Sequence, residues 1–220
     1  MKYYVIIIII MIAGLSCLFA ETASTSTAFD AQLAKAKAGD AEAQYDVAMS
    51  YEEGEGVPVN DSLSTYWYKQ AAAKGLADAQ VNLGYRYHKG LGTPCNDSLA
   101  FYWIKKSADR DNSDAMFELG VYYDKGIGTK QDFKEAAKWY KNAAEKGIPG
   151  AMTNLGMLYI YGAGVKVSDK EAYFWLSLSL DNDYDNFANE KRYNVENNLT
   201  KKEIQEVQDR LIKWKKEHKQ

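Results

Sequence analysis

"YEEGEGVPVNDSLSTYWYKQAAAKG", residues 51–75, sets a tyrosine and two glycines ahead of a run rich in aromatics and alanines that ends in a third glycine. A glycine loop leading into a helical pattern is one way to cradle a phosphate. Here the loop also follows a helical pattern rather than a strand, which is the wrong setting for a dinucleotide fingerprint or a P-loop. The glycines of this Tyr-x-x-Gly-x-Gly are therefore expected to supply positive φ, letting the chain leave one helix and enter the next.

The same stretch returns along the chain. Ala43, Ala79, Ala115 and Ala151 are each 36 apart, as are Tyr51, Tyr87, Tyr123 and Tyr159. Gly54, Gly90, Gly126 and Gly162 keep this register, and so do Gly56, Gly92, Gly128 and Gly164. Trp67, Trp103, Trp139 and Trp175 form a further column. Columns repeated in register without insertion mark a tandem-repeat protein.

Each repeat carries two helical patterns. Gln44, Val47, Ala48 and Tyr51 sit at i, i+3, i+4 and i+7, and Gln80, Leu83, Gly84 and Tyr87 repeat that face. The small residue at 48, 84, 120 and 156 implies a close helix–helix approach. The second helix is expected to begin near Asp61, Asp97 and Asp169, whose carboxylates suit free N–H groups, and to stop at glycines such as Gly75. The reading is all-α: an α/α solenoid of four helix-turn-helix repeats at about 39–74, 75–110, 111–146 and 147–182.

The ends fit the same frame. Residues 29–39 align with a second helix, giving an N-terminal half repeat, while about 184–197 resemble a first helix without its glycine turn. Thr200 and Glu203 form a capping-box pattern. Ile204, Val207, Leu211 and Trp214 then make an apolar stripe of the kind that covers an open solenoid end. Residues 183–220 are thus expected to be capping helices.

The segments "AQVNLGYRYHKGLGTPCNDSLAFYWIKKSADR" and "AMFELGVYYDKGIGTKQDFKEAAKWYKNAAEKG" resemble Sel1-like repeats, relatives of the tetratricopeptide repeat. The shared features are Leu-Gly-x-x-Tyr, Gly-x-Gly and Trp-Tyr-x-x-Ala-Ala, over about residues 39–182. The tail from "AYFWLSLSLDNDYDNF" onward resembles the C-terminal end common in bacterial members. The resemblance implies a solenoid that binds other proteins and holds no cofactor. A cysteine-rich group of secreted relatives is described as β-lactamases or penicillin binders. Its hallmark is a cysteine pair in each repeat, and this chain departs from that pattern throughout.

The chain has 220 residues, 46% of them hydrophobic, and only three prolines, enough for a packed array. Its net charge of −3 and lack of a basic stripe argue against nucleic acid as a partner. MKYYVIIIIIMIAGLSCLFA, residues 1–20, reads as a secretory signal cleaved after Ala20, followed by a short linker at 21–28. The expected location is therefore periplasmic or secreted. Two alternatives stay open: the run Tyr3–Ala20 retained as a membrane anchor, or a lipid on Cys17, although Gly14 replaces the usual lipobox leucine. The mature chain keeps only Cys95, so no internal disulfide holds it.

Candidate chemistry is sparse. His88 and His218 read as solvated surface residues and cannot make a metal site between them. Cys95 shares its column with Val59, Gln131 and Val167, which suggests a small, partly buried apolar position. Asn60, Asn96 and Asn198 lie in Asn-x-Ser/Thr sequons and read as turn or capping residues. No Ser-x-x-Lys is supported by Lys-Thr-Gly or Ser-Asp-Asn. The chain is read as a non-enzyme with no metal and no cofactor.

The variable columns of the first helices are better functional candidates. Tyr45, Val81, Phe117 and Thr153 form one, Met49, Tyr85, Val121 and Met157 another, flanked by Asp46, Asn82, Glu118 and Asn154. Aromatic and Met residues mixed with polar ones suit a protein- or peptide-binding groove. Tyr45, Met49, Asn82, Tyr85, Phe117, Val121 and Met157 are the residues expected to meet the partner, with inter-repeat packing as the rival reading. The functional expectation is a non-catalytic binding scaffold of the bacterial envelope. The alternatives are an immunity or inhibitor protein against a toxin or envelope enzyme, and a cell-wall hydrolase of the β-lactamase type.

Overall fold

The computed structural model describes residues 28–182 and 186–218; the expected signal segment 1–20 with Cys17, and residues 21–27 of the expected linker, lie outside them. Regular structure among the described residues is helical throughout. Helix α1 spans 28–37, the half repeat. Pairs α2 (Ala41–Glu53) and α3 (Asp61–Ala73), α4 (Ala77–Lys89) and α5 (Asp97–Ala108), α6 (Ser113–Lys125) and α7 (Phe133–Glu145), and α8 (Pro149–Tyr161) and α9 (Asp169–Asn182) are the four repeats. Helices α10 (Asn186–Glu196) and α11 (Lys201–Glu217) follow. The chain divides between Asn96 and Asp97 into an N-terminal unit, α1–α4, and a C-terminal unit, α5–α11.

Within a repeat the two helices meet over the small-residue column. A β-carbon on Gly156 would come within 2.8 Å of Leu176 Cγ, and Gly120 lies equally tight under Tyr140. Tyr68, Ile104, Tyr140 and Leu176 occupy this position in successive second helices, and all are fully buried. The tryptophan beside them is less uniform than its invariance suggests. Trp67 and Trp175 are buried, but Trp103 and Trp139 are half-exposed with Lys106 and Lys138 over their rings at 5.0 and 5.6 Å.

The glycine turns have one construction. The first glycine ends the helix at φ 67–78° (Gly54, Gly90, Gly126, Gly162), and the second also has positive φ. The tyrosine carbonyl at the start of the turn then accepts the N–H that opens the next helix: Tyr51 from Asn60, Tyr87 from Asn96, Tyr123 from Asp132, Tyr159 from Ser168, all at 2.8–3.1 Å. The second glycine also lets the turn press on the preceding second helix. A β-carbon on Gly128 would lie 2.0 Å from the Asp97 carbonyl oxygen, and one on Gly164 would lie 2.2 Å from Phe133.

Two expectations about these turns are corrected. The N-cap is one residue earlier than Asp61 and Asp169: Asn60 accepts from Leu63 N–H and Ser168 from Glu171 N–H. The aspartates instead occupy the first helical position, beside the positive end of the dipole. Cys95 is exposed rather than partly buried, because its column lies outside the turn and folds over the end of the first helix. Its thiol donates to the His88 carbonyl at 3.2 Å, just as Gln131 donates to Asp124 O at 2.7 Å.

Successive repeats are joined by buried polar contacts as well as apolar ones. Gln44 and Gln80 each donate to the carbonyl near the end of the preceding second helix, Ala36 O and Ala72 O, at 3.0 Å. Phe29 meets Tyr51 edge-on at 5.5 Å, and Phe101 meets Tyr123 likewise at 5.3 Å, which places α1 in register as a half repeat. In the N-terminal unit the seam holds Arg86, 1% exposed. Its Nη2 reaches the Asp61 carboxylate at 2.5 Å and its Nε the Thr65 hydroxyl at 2.6 Å. Its Nη1 lies 3.1 Å from Glu52, an ion pair out of line for a hydrogen bond.

The C-terminal cap forms as its pattern suggests. Thr200 and Glu203 make a reciprocal capping box, and Val207 and Leu211 are buried. Lys170–Glu206 and Arg210–Glu171 ion pairs tie α11 to α9, with the Arg210 guanidinium 3.8 Å above the Phe174 ring. Among the described residues no helix is long and apolar enough to cross a membrane, and no group of three or more His, Cys, Asp or Glu is placed to hold a metal.

Candidate functional site

The first helices present two side-chain columns beyond their buried faces, and the structure separates them. The Tyr45 column belongs to the packing. Tyr45 is half-buried, edge-on to Tyr68 at 5.5 Å, and its hydroxyl accepts from Asn82 Nδ2 at 3.4 Å. Burial raises its pKa, and the carboxylates of Asp78, Glu52 and Asp46 push the same way. In the C-terminal unit Phe117 lies against Tyr140, ring centroids 6.0 Å apart, and over Gly150. Thr153 is buried and shares a 2.7 Å hydrogen bond with Ser179. Tyr45, Asn82 and Phe117 are thus engaged in contacts within the protein, of the kind the rival packing reading expects.

In the second column Tyr85 alone stands clear of the surface, while the others are partly buried, as Tyr45 and Phe117 are. Tyr85 is 50% exposed, with the Lys89 ammonium 5.9 Å from its ring centroid, and Met49 is half-exposed. Val121 and Met157 are half-exposed in the C-terminal unit. These are rigid positions on packed helices, and a partner meeting them would find little left to order.

Beneath this surface lies a polar feature absent from the sequence reading. Tyr68 donates to Glu52 at 2.7 Å, and Tyr140 to Asp124 at 3.3 Å. Burial drives both tyrosine pKa values well above the ordinary 10.0; the Glu52 hydrogen bond adds to this for Tyr68, and the Asp124 charge for Tyr140. Glu52 and Asp124 share a column, as do Tyr68 and Tyr140. Where the tyrosine gives way to Ile104 or Leu176, the acid gives way to His88 or Ile160. That paired exchange was the signal available, and it shows only when two columns are compared.

A cleft of ≈ 350 Å³ opens between α1 and α2, lined by Ala28, Phe29, Gln32, Asp46, Ser50 and Glu55. Asp46 accepts a hydrogen bond from Gln32 Nε2 there. Its wall adjoins the Met49 surface through Asp46 and Ser50, one turn away on α2.

The comparisons agree with this architecture. The Sel1 repeat model matches residues 41–76, 77–112, 113–148 and 149–184, the same period with windows opening at Ala41 rather than Gly39. The chain is similar to a protective antigen of uropathogenic Escherichia coli that displays an SLR fold, at 33% identity and TM-score 0.77. That similarity covers 86% of this chain and 40% of the antigen. It is also similar to a Sel1 repeat protein from Oxalobacter formigenes, at 32% identity and TM-score 0.69, over 71% of this chain and 65% of the other. This chain therefore spans less than two thirds of either relative's length. No curated protein matches it. The fold is an all-α solenoid of four repeats.

Proposed function

The chain belongs to the Sel1 repeat family, and from that premise we propose that it is an exported, non-catalytic scaffold binding a protein or peptide segment along its first-helix faces. The observation that carries this reading is the surviving column. After Tyr45, Phe117 and Thr153 are consumed by packing, Met49 with Tyr85, and Val121 with Met157, still offer apolar area to solvent. A large aromatic ring beside adaptable thioether groups on preformed helices suits a partner's anchor residues. An envelope location suits the apolar leader and the likeness to a protein described as a protective antigen. The Cys95 thiol meets a main-chain carbonyl, a contact that supplies no general base for a nucleophile.

The test is a photo-crosslinking residue placed at Tyr85 and, separately, at Tyr193 on α10, in cells making the full chain. The expected result is a discrete crosslinked product from position 85 that Met49→Ala removes and that position 193 does not give. Equal products from both positions would defeat the assignment of the face. Hydrolysis of nitrocefin by the purified chain would defeat the non-catalytic reading. An intact mass starting at Glu21 is expected for the exported form, and a diacylated chain starting at Cys17 would replace it with the lipid-anchored alternative.

A further inference from the structure

One face of the second helices meets solvent in a different way in each repeat. In α9 it is formed by Lys170, Glu171 and Phe174, and this chain's own α11 covers it. Glu206 pairs with Lys170, Arg210 pairs with Glu171 and stacks over the Phe174 ring, and Phe174 is 1% exposed. In α7 the last two positions hold Glu135 and Lys138, an ion pair at 3.4 Å that water solvates. In α5 they hold Leu99 and Tyr102, with Lys106 over the rings of Tyr102 and Trp103 at 5.6 and 5.0 Å from their centroids. In α3 they hold Leu63 and Tyr66, 38% and 52% exposed, and uncharged Gln70 stands in the place of Lys106. Exposed Val59 and Ala73 extend the pair into a stripe, 59, 63, 66, 70 and 73, along the length of α3. Steps of four and three residues are the spacing of a seam on which one helix receives another.

We infer that the Leu63–Tyr66 stripe of α3 is a second interaction surface, which takes an amphipathic helix of a partner protein in the way that α9 takes α11. It is separate from the first-helix faces and does not depend on them. The α9–α11 contact supplies the chemistry of the occupant. Arg210 over Phe174 has its counterpart in a guanidinium over the Tyr66 ring, where an aromatic face attracts a cation. Glu206 has no counterpart: Ser62 stands where its partner Lys170 would be, and Leu63 stands in the place of Glu171. The occupant therefore carries an apolar residue where α11 has Glu206, and keeps an arginine one turn later. Helix α11 of a second copy does not fit this description. Its Glu206 would meet Ser62 and Leu63 instead of a lysine, and its own apolar residues Val207 and Leu211 are already buried. A helix laid along an apolar stripe is a recurrent mode of recognition, read as anchors three and four residues apart.

The probes are two fluorescein-labelled peptides of residues 200–217, one native and one with Glu206→Leu, titrated by fluorescence anisotropy against the chain from Glu21 onward. The Glu206→Leu peptide is expected to bind about tenfold or more tightly than the native one. Leu63→Glu with Tyr66→Lys installs on α3 the ion pair that α7 already carries, and should weaken that peptide about tenfold or more. Tyr85→Ala should change its binding by less than about twofold. Thermal melts confirm folding, and Tyr66→Ser replaces the paired variant if it does not fold. Failure of the Glu206→Leu peptide to bind, or binding that ignores the α3 variants, overturns the inference. A native peptide that binds α3 as tightly overturns the partner helix in favour of α11 from a second copy. Binding that is lost with Tyr85→Ala and kept in the α3 variants puts the helix on the first-helix faces, which removes this surface and leaves the scaffold reading standing.

Discussion

Tyr140 lies flat across Gly120: a β-carbon added to that glycine would meet ring carbon Cδ1 at 2.5 Å. Gly120 is mid-helix, where Gly→Ala ordinarily gains about 0.5–1 kcal/mol by propensity. Here Gly120→Ala should instead cost about 1–3 kcal/mol, because the buried ring has no room to retreat. A urea midpoint that rises on Gly120→Ala would show that the helices are not held at this distance.

Alkaline stability should carry the mark of Tyr68 and Tyr140. Both have pKa values raised above 10.0 by burial. Below pH 10 each is neutral whether folded or unfolded and contributes no slope. Above it the unfolded chain loses protons that the folded chain keeps, so stability falls as pH rises, by about 1.4 kcal/mol per pH unit for each tyrosine. Tyr140→Phe should remove about half of the slope that the two tyrosines share. An unchanged slope from about pH 10 upward in that variant would exclude Tyr140 as its source.

The two kinds of glycine constraint are separable. Gly147 has φ 91° but open space around its missing side chain, whereas Gly128 has φ 66° and the Asp97 carbonyl 2.0 Å from where a β-carbon would sit. Gly147→Ala should cost about 1 kcal/mol, the conformational strain alone. Gly128→Ala should cost at least about 2 kcal/mol more, since backbone of the previous second helix must move. Equal denaturation midpoints would refute the close approach.

Stability also distinguishes the two variable columns. Phe117→Ala should cost about 2 kcal/mol or more, because the ring is packed on Tyr140 and Gly150. Tyr85→Ala, at an exposed site, should stay within about 0.5 kcal/mol. Comparable losses would return Tyr85 to the packing.

The repeat architecture was legible because glycine and tryptophan leave few substitutes. A turn with two positive-φ positions, one of them pressed on backbone, repeats its residue types as well as its geometry, so the period of 36 is visible by eye. The Thr200–Glu203 cap was legible for the same local reason. The seam was not. Tyr68, Ile104, Tyr140 and Leu176 share full burial but not identity, so no column advertises them. Variation at Tyr45 and Phe117 suggested exposure, yet a packing residue is free to vary when its neighbour varies with it: Tyr45 has Asn82, and Phe117 has Gly150. The N-cap slipped by one residue because Asn60 and Asp61 both offer a side-chain oxygen.

A chain of near-identical blocks runs the hazard of stacking them in the wrong order while it folds, and Arg86 bears on that hazard. The equivalent positions hold Ser50, Tyr122 and Leu158, so the charge travels with one helix alone. Its acceptors Glu52, Asp61 and Thr65 also come as a set in one block. The next block has His88, Asp97 and Phe101 there, and the one after it Asp124, Phe133 and Ala137. Laid against either of those, α4 would bury its guanidinium with one carboxylate in place of two and without the Thr65 hydroxyl, leaving part of its charge and its N–H groups uncompensated. The surrounding apolar contacts would accept several arrangements. The arginine makes misordered stacking expensive and gives the second block a single address in the array.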